Sequence, residues 1–197
     1  ILKDMAVYMF YGKSGSGKGT QAQILKEQLI AQGRSVIYIE TGQLFRDFIS
    51  AHNNFMGNYV QSVVESGNLM PSFFPIYLWS RELVDHYTGN EDIILDGTAR
   101  RLEEAPIIHS AFDFLGITKR YVLNLEVSDQ WVFNHMGARN RVDDTEEGMQ
   151  QRLQWFNEQV VPVIDFFKKN PVYTVITVNG EQSIEQVAQM ITQSLTL

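Results

Sequence analysis

The chain has 197 residues, of which 44% are hydrophobic and 20% charged, as is usual for a soluble globular protein with a substantial core. Its net charge of −7, from 16 Lys and Arg against 23 Asp and Glu, argues against nucleic acid or an anionic membrane as a partner. Cysteine is absent, which excludes disulfides and cysteine zinc sites and fits the reducing cytoplasm where we expect the protein, and no apolar run reaches the roughly 18 residues of a membrane span.

A glycine-rich stretch, GKSGSGKGTQ at 12–21, follows a short apolar run and precedes a helix-like segment. A strand, a glycine-rich turn and a helix in this order are the context of a phosphate-binding loop. Glycine permits the positive φ angles that let backbone N–H groups surround a phosphate, while the helix N-terminus and Lys18 add positive charge. In the usual motif Ser or Thr follows the lysine, whereas here Gly19 follows it and the hydroxyl comes at Thr20. The alternative is a structural turn with a solvated lysine.

This variant, G-x-x-G-x-G-K-G-T-Q, resembles the phosphate-binding loop of the adenylate kinase family of nucleoside monophosphate kinases. The resemblance implies ATP as co-substrate and Mg²⁺ as cofactor. It also implies that a catalytic Lys18 holds the outer phosphates and Thr20 the inner ones. The residues it places at ATP are Gly15, Ser16, Gly17, Lys18, Gly19 and Thr20.

The run VIYIE at 36–40 predicts a second buried strand, and strand, helix and strand in succession predict a parallel sheet. The next residues, TGQLFR, predict a helix with Thr41 as its N-cap. They resemble the family segment T-G-x-L-x-R, which implies that Thr41 and Gly42 border the acceptor base and Arg46 binds the acceptor phosphate. Taken alone, Arg46 is equally consistent with a solvated helix residue. The stretch GNLMP at 67–71 resembles G-x-L-V-P, with Leu69 in the acceptor site, although it is also a simple helix stop.

The run IILD at 93–96 predicts a third strand that ends in a carboxylate. At the C-terminal edge of a parallel sheet, Asp96 would lie beside the phosphate loop and hold Mg²⁺ through water, unless it only forms a turn. The residues GTAR at 97–100 stand where the family has G-F-P-R, which implies that Gly97 lies in the acceptor site and that Arg100 is a second, catalytic acceptor-phosphate arginine. The missing Phe and Pro predict a looser pocket.

Four residues after Arg100 the family has a Gln that reads the adenine edge, and this chain has Glu104. A Gln side chain both donates and accepts, whereas an ionised Glu only accepts, which suits guanine better than adenine. Placed in the acceptor site, Glu104 therefore leaves the acceptor base open. The alternative is that Glu104 is a surface residue of a helix that begins near Leu102.

Further along, the family has R-L-x-x-R, a lid and R-x-D-D, which correspond here to the segment from His135 to Arg139, the single residue Asn140, and RVDD from Arg141. The resemblance implies that His135 and Arg139 bind ATP. It also implies that Arg139, Arg141 and Arg152 are catalytic at the transferring phosphate, the last two also contacting the acceptor. A core or capping His135 without a ligand role is equally consistent with the sequence. So short a lid predicts poor exclusion of water and raised ATP hydrolysis.

Two more strands, at 120–126 and 172–178, complete a set of five that alternates with helices, one of them long and kinked at Pro162. The sequence thus predicts an α/β fold of the P-loop NTPase class, a doubly wound five-stranded parallel sheet with a small helical NMP-binding insertion and a minimal lid. We expect a single adenylate-kinase-like domain over 1–197, with core segments 1–40, 72–137 and 142–197, the insertion at 41–71 and the vestigial lid at 138–141.

Together these residues predict a kinase that transfers the γ-phosphoryl group of ATP-Mg²⁺ to a nucleoside monophosphate, with AMP as the preferred acceptor. Two alternatives stay open: a kinase for another monophosphate, because of Glu104, and a catalytically weak nucleotide-binding regulatory domain, because of the trimmed lid. A GTPase switch is disfavoured since the N-K-x-D motif is absent. We expect nucleotides but no nucleic acid or membrane as partners, no zinc, and a monomer.

Overall fold

A computed structural model of the chain describes residues 5–136 and 146–195. Within these ranges five strands form one sheet in the order β2-β3-β1-β4-β5, and every neighbouring pair is parallel. The strands are β1 (Ala6–Gly12), β2 (Ser35–Glu40), β3 (Glu91–Asp96), β4 (Lys119–Glu126) and β5 (Tyr173–Asn179). The predicted doubly wound α/β fold is confirmed. Because β1 lies between β3 and β4, its C-terminal end marks the crevice where such sheets bind ligands.

Helices connect the strands on both faces of the sheet. They are α1 (Lys18–Ala31), α2 (Thr41–Ala51), α3 (Phe55–Glu65), α4 (Phe73–His86), α5 (Ala105–Phe114), α6 (Asp129–Met136), α7 (Glu146–Trp155), α8 (Val161–Lys169) and α9 (Ile184–Ser194). A 3₁₀ turn, Leu102–Glu104, leads into α5, and a π-helical stretch, Phe156–Val160, joins α7 to α8. None of the helices in the described ranges is long and apolar enough to cross a membrane.

The central strand β1 is buried along its whole length and supplies both halves of the core. Its odd-numbered side chains, such as Met9, pack into a cluster with residues of α4, α5 and α8. Its even-numbered side chains, such as Phe10, pack against α1 and α9. This alternation follows from the two-residue period of a strand, and burial on both faces explains why β1 reads as a continuous apolar run. The sheet is therefore a rigid support for the loops at its C-terminal edge.

Helices α2 and α3 share a smaller apolar cluster with the start of α4, formed around Val60, Met70 and Phe74. Leu44 packs against both this cluster and the larger cluster of the sheet, and the division of the chain at residues 41–71 remains a prediction. One local prediction is wrong here. Thr41 is not an N-cap, because α2 begins at Thr41 itself and Glu40 occupies the cap position without a side-chain hydrogen bond.

The long C-terminal helix was predicted to kink at Pro162. The described part runs from α7 into α8 through the π-helical stretch, which ends two residues before Pro162. Proline lacks the N–H that an α-helix needs there, and a π-turn re-aligns the chain around the missing hydrogen bond. The π-helical stretch interrupts the α-helix close to Pro162, and the kink itself stays a prediction. The predicted lid residues, 138–141, lie outside the described ranges.

Candidate active site

The glycine-rich loop leaves β1 at Gly12 and enters α1 at Lys18. Gly15 and Gly17 have φ angles of 87° and 86°, in the left-handed region that favours glycine. A Cβ atom at Gly12 would come within 2.6 Å of Ser16 Oγ and 2.7 Å of the Leu125 carbonyl oxygen, so the loop must close tightly against β4. The cap position of α1 is Gly17, which has no side chain that could cap the helix.

The side chains of Lys13 and Lys18 restrain the phosphate loop and give it positive charge. Lys13 Nζ donates to Asp129 Oδ1 over 2.6 Å and to the Val127 carbonyl over 2.9 Å, which ties the loop to the end of β4 and the start of α6. Lys18 Nζ lies 3.4 Å from the Lys13 carbonyl oxygen and is therefore folded back over the loop. A cation in that position complements an anion bound by the loop.

The structure explains why glycine follows Lys18 in this motif. A Cβ atom at Gly19 would lie 3.0 Å from Asp96 Oδ2, closer than nearly all real Cβ contacts. A serine or threonine at this position would therefore have to displace the Asp96 carboxylate. In this chain the hydroxyl is instead that of Thr20, whose side chain is exposed.

Asp96 is the last residue of β3 and is only 7% exposed. It pairs in register with Glu40 at the end of β2, and Tyr38 donates a 3.5 Å hydrogen bond to its Oδ2. Burial raises the pKa of Asp96, while the positive charges of Lys18 and Arg100 oppose that rise. A buried carboxylate between cations at a sheet edge is suited to binding a hydrated cation together with phosphates.

A cavity of about 1020 Å³ opens at this edge of the sheet. It collects many of the residues predicted for nucleotide binding: Lys18, Gly19, Thr20, Gly42, Arg46, Asp96, Gly97, Arg100 and Arg152. The phosphate loop thus faces the same space as arginines from three separate segments. Several cations around one cavity are what two phosphate-bearing ligands require, because their phosphates repel each other.

Each described arginine of the cavity is held differently. Arg46 is largely exposed, donates to Glu40 Oε1 over 2.9 Å and also bonds Gln43 of its own helix. Arg100 folds back over the turn, where its Nε donates to the Gly97 carbonyl over 2.7 Å and its guanidinium lies 5.7 Å from the ring centre of Trp155. Burial lowers the pKa of Arg100, and the nearby charge of Arg152 lowers it further.

Four predicted residues outside the phosphate loop do not line the cavity. The Thr41 hydroxyl is buried and lies 3.0 Å from the hydroxyl of Thr98, and the Leu69 carbonyl accepts a 3.4 Å hydrogen bond from Arg101. His135 is exposed on α6, where its ring stacks on Trp131 at 3.8 Å. Arg139 and Arg141 lie outside the described residues.

Glu104 is the fourth predicted residue that does not line the cavity. The alternative that it is a surface residue is wrong, because it is only 1% exposed. It does not line the cavity either. Its Oε2 accepts a 3.2 Å hydrogen bond from the Arg100 backbone N–H, and its Oε1 lies 3.2 Å from Ser72 Oγ. Burial raises the pKa of Glu104 to about 7.

The side chains of the cavity that sequence reasoning missed include Tyr38, Glu40 and Trp155. Glu40 ends β2 just as Asp96 ends β3, so the rule that picked out Asp96 applies equally to Glu40. Trp155 follows Arg152 by three residues, which places both on one helix face. It donates a 3.0 Å hydrogen bond to the Gly67 carbonyl and so links α7 to the end of α3.

A phosphate loop at the centre of this parallel sheet defines the class of the protein as a P-loop NTPase fold. The sequence matches the adenylate kinase family over residues 10–172. It is 32% identical to "Adenylate kinase 1" of Nostoc sp. over 191 residues, which cover 97% of this chain and 99% of that protein. "Adenylate kinase" of Leptospira biflexa is 31% identical (95% and 98% covered), and that of Corynebacterium diphtheriae 32% (89% and 91%). The chain belongs to the adenylate kinase family and is a phosphotransferase.

Proposed function

We propose that this protein is a nucleoside monophosphate kinase that transfers the γ-phosphoryl group of ATP-Mg²⁺ to AMP. The observation that carries the proposal is that one cavity is lined both by residues of the phosphate loop and by Arg46, Arg100 and Arg152. The relatives named above, which are similar over nearly their whole lengths, support the same activity.

Phosphoryl transfer of this kind needs little covalent chemistry and much positioning. Lys18 would hold the β- and γ-phosphates of the donor, and Arg46 and Arg100 would bind the acceptor phosphate. Arg152 would stabilise the charge that spreads over the transferring group. Arg139 and Arg141 stay predicted partners of the same group, and His135 of the donor base. Arg46 would have to exchange its bond to Glu40 for one to the acceptor phosphate.

The residues of the cavity fit a magnesium ion. Mg²⁺ keeps several of its waters and is held by one or two carboxylates together with substrate phosphates, so it needs no cluster of protein ligands. No group of three or more potential metal-ligating side chains occurs among the described residues, which accords with such a site. Asp96 and Thr20 would hold the hydrated ion, which when bound would neutralise charge on the donor phosphates.

The position of Glu104 supports AMP as the acceptor. The argument for another base assumed an ionised Glu104 in the base pocket, whereas its carboxyl group bonds Ser72 and the Arg100 backbone outside the cavity lining. A regulatory domain without catalysis would leave the arginines around the cavity unexplained. A cytoplasmic location and a monomeric state remain predictions.

The first experiment measures transfer from ATP-Mg²⁺ to AMP, GMP, CMP, UMP and dAMP in parallel, with a no-acceptor control for hydrolysis. Formation of ADP fastest with AMP is expected. Preference for another monophosphate would overturn the proposed acceptor, and ATP binding without transfer to any acceptor would overturn the proposed activity.

Arg100→Ala tests the acceptor site. We expect kcat/KM for AMP to fall by about 10²- to 10³-fold, since a preorganised charge at the reacting phosphate is lost, while the Kd for ATP stays within about two-fold. The matched control is Arg81→Ala on α4, where the arginine is exposed and interacts with Asp85 and Tyr77 of the same helix. A rate for Arg100→Ala close to that of the unaltered enzyme would contradict the assignment.

A further inference from the structure

Two neighbouring carboxyl groups share one hydroxyl at the edge of the acceptor site. Ser72 Oγ lies 2.8 Å from Glu103 Oε1 and 3.2 Å from Glu104 Oε1. Ser72 immediately precedes α4, and both acids belong to the 3₁₀ turn that follows the Arg100 loop. The contact therefore joins two segments that are 31 residues apart in the chain.

The number of protons at this contact decides its chemistry. A serine hydroxyl carries one hydrogen and can donate to only one of the two carboxylates. With both acids ionised, the Ser72 hydroxyl oxygen and one carboxylate oxygen would face each other without a proton between them, and the Ser72–Glu104 contact is partly buried. One added proton resolves this, because the neutral carboxyl donates to Ser72 Oγ and Ser72 donates to the remaining carboxylate.

The added proton belongs on Glu104. Glu103 is exposed, and its hydrogen bond with Ser72 lowers its pKa. Glu104 is 1% exposed, and burial raises its pKa to about 7. The charged groups that face Glu104 are Arg100 and Glu103, and the Tyr11 hydroxyl is the third titratable group near it. The remaining negative charge is more stable where water solvates it, and of the two side chains only that of Glu103 is exposed.

The other oxygen of Glu104 reaches the acceptor-phosphate arginine. Glu104 Oε2 accepts from the Arg100 backbone N–H over 3.2 Å. The Arg100 side chain returns to bond the Gly97 carbonyl over 2.7 Å, so the backbone at Arg100 determines where the guanidinium points. Glu104 thus contacts the Arg100 backbone but does not line the cavity where a nucleotide would lie.

We propose that Glu104 is a positioning residue whose neutral carboxyl group links Ser72 to the Arg100 backbone and so sets Arg100 for the acceptor phosphate. The inference rests on the proposed function, because that function gives Arg100 its role. Ionisation of Glu104 above neutral pH places two carboxylates on one hydroxyl, the link to Ser72 breaks, and Arg100 loses its fixed position. Acceptor binding therefore weakens as pH rises through neutrality, whereas donor binding at the phosphate loop does not.

The kinetic test follows KM for AMP and KM for ATP between about pH 6 and about pH 9. Between these pH values we expect KM for AMP to rise about ten-fold more in the unaltered enzyme than in Glu104→Gln. A ten-fold rise is the size of effect expected when one hydrogen bond to a charged group is lost. Gln donates to Ser72 and accepts from Arg100 at every pH, so Glu104→Gln reports only the titration of the nucleotides and of other groups. Parallel pH profiles of KM for AMP in the two enzymes would overturn the inference.

A readout without activity separates this inference from the proposed function. The side-chain carboxyl ¹³C resonance of Glu104, assigned by its absence from Glu104→Gln, should titrate near neutrality in the nucleotide-free protein. Ser72→Ala removes the acceptor of the Glu104 proton and should lower that midpoint, whereas a raised midpoint would mean that Ser72 donates to an ionised Glu104 and would overturn the link. Failure of the unaltered enzyme to transfer to any acceptor would overturn the proposed function, and with it the role of Arg100. A flat profile in an active enzyme would overturn this inference alone.

Discussion

Replacing Glu104 by Gln should stabilise the protein in mildly alkaline solution and change its stability much less in mild acid. Burial raises the pKa of Glu104 from 4.5 to about 7 on folding. Between these values the folded state binds more protons than the unfolded state, so the free energy of unfolding falls as pH rises through this window. Once Glu104 is ionised, the loss amounts to about 3 kcal/mol, and Gln, which does not ionise, avoids it.

Urea unfolding at about pH 5 and about pH 8.5 measures this effect. The stability gained by Glu104→Gln should grow by about 2 to 3 kcal/mol between the two conditions. Glu27→Gln is the matched control, because Glu27 is exposed on α1 and accepts only from Gln23 of the same helix. It should stay within about 0.5 kcal/mol of the unaltered protein at both pH values. An equal gain at both pH values would refute the reasoning, because neutral packing, not ionisation, would then be its cause.

Asp92→Ala should cost about 2 to 3 kcal/mol in urea unfolding, because this 1% exposed carboxylate accepts from the Ala6 backbone N–H over 2.8 Å and pairs with the partly exposed Arg34. A loss below about 0.5 kcal/mol would show that the pair contributes little. Ala99→Val should cost about 2 kcal/mol or more in thermal unfolding, since Ala99 is buried at a φ of 54°, a conformation that β-branched residues strongly resist. Ala99→Gly is its control, and equal melting temperatures for the two variants would remove the backbone explanation.

The sequence predicts the fold well because its signals are local. Strands buried on both faces read as short apolar runs, as β1 and β3 do, and the partly buried edge strand β2 is also visible as a continuous stretch of hydrophobic residues. Alternation with helices requires parallel pairing, and parallel pairing puts all strand ends at one edge. Asp96 and the phosphate loop therefore come together from sequence order alone, without any knowledge of side-chain contacts.

The candidate site is predicted less completely because its contacts join distant segments. Glu104 can be identified as an unusual residue from the sequence, but only its contact with Ser72, 32 residues earlier, shows that its carboxyl group lies outside the cavity. Trp155 likewise meets the Gly67 carbonyl from 88 residues away. Thr41 has the right residue type for a helix cap, yet its hydroxyl lies beside Thr98 across two strand ends. No local pattern contains these pairings.

The loop that carries Arg100 lacks the Phe and Pro of the family motif, and hydrogen bonds restrain it instead. The Thr98 hydroxyl lies 3.0 Å from the Thr41 hydroxyl, and the Ala99 carbonyl accepts a 3.3 Å hydrogen bond from Tyr11. Glu104 then holds the Arg100 N–H. A proline restrains a loop by removing backbone freedom, whereas these three contacts restrain it by satisfying buried polar groups. Loss of one partner of such a contact costs more free energy, because the other partner is then left buried without a hydrogen bond. The position of Arg100, the proposed acceptor arginine, therefore depends on side chains from β1, α2 and the 3₁₀ turn together, and burial raises the pKa of one of them, Glu104, to about 7.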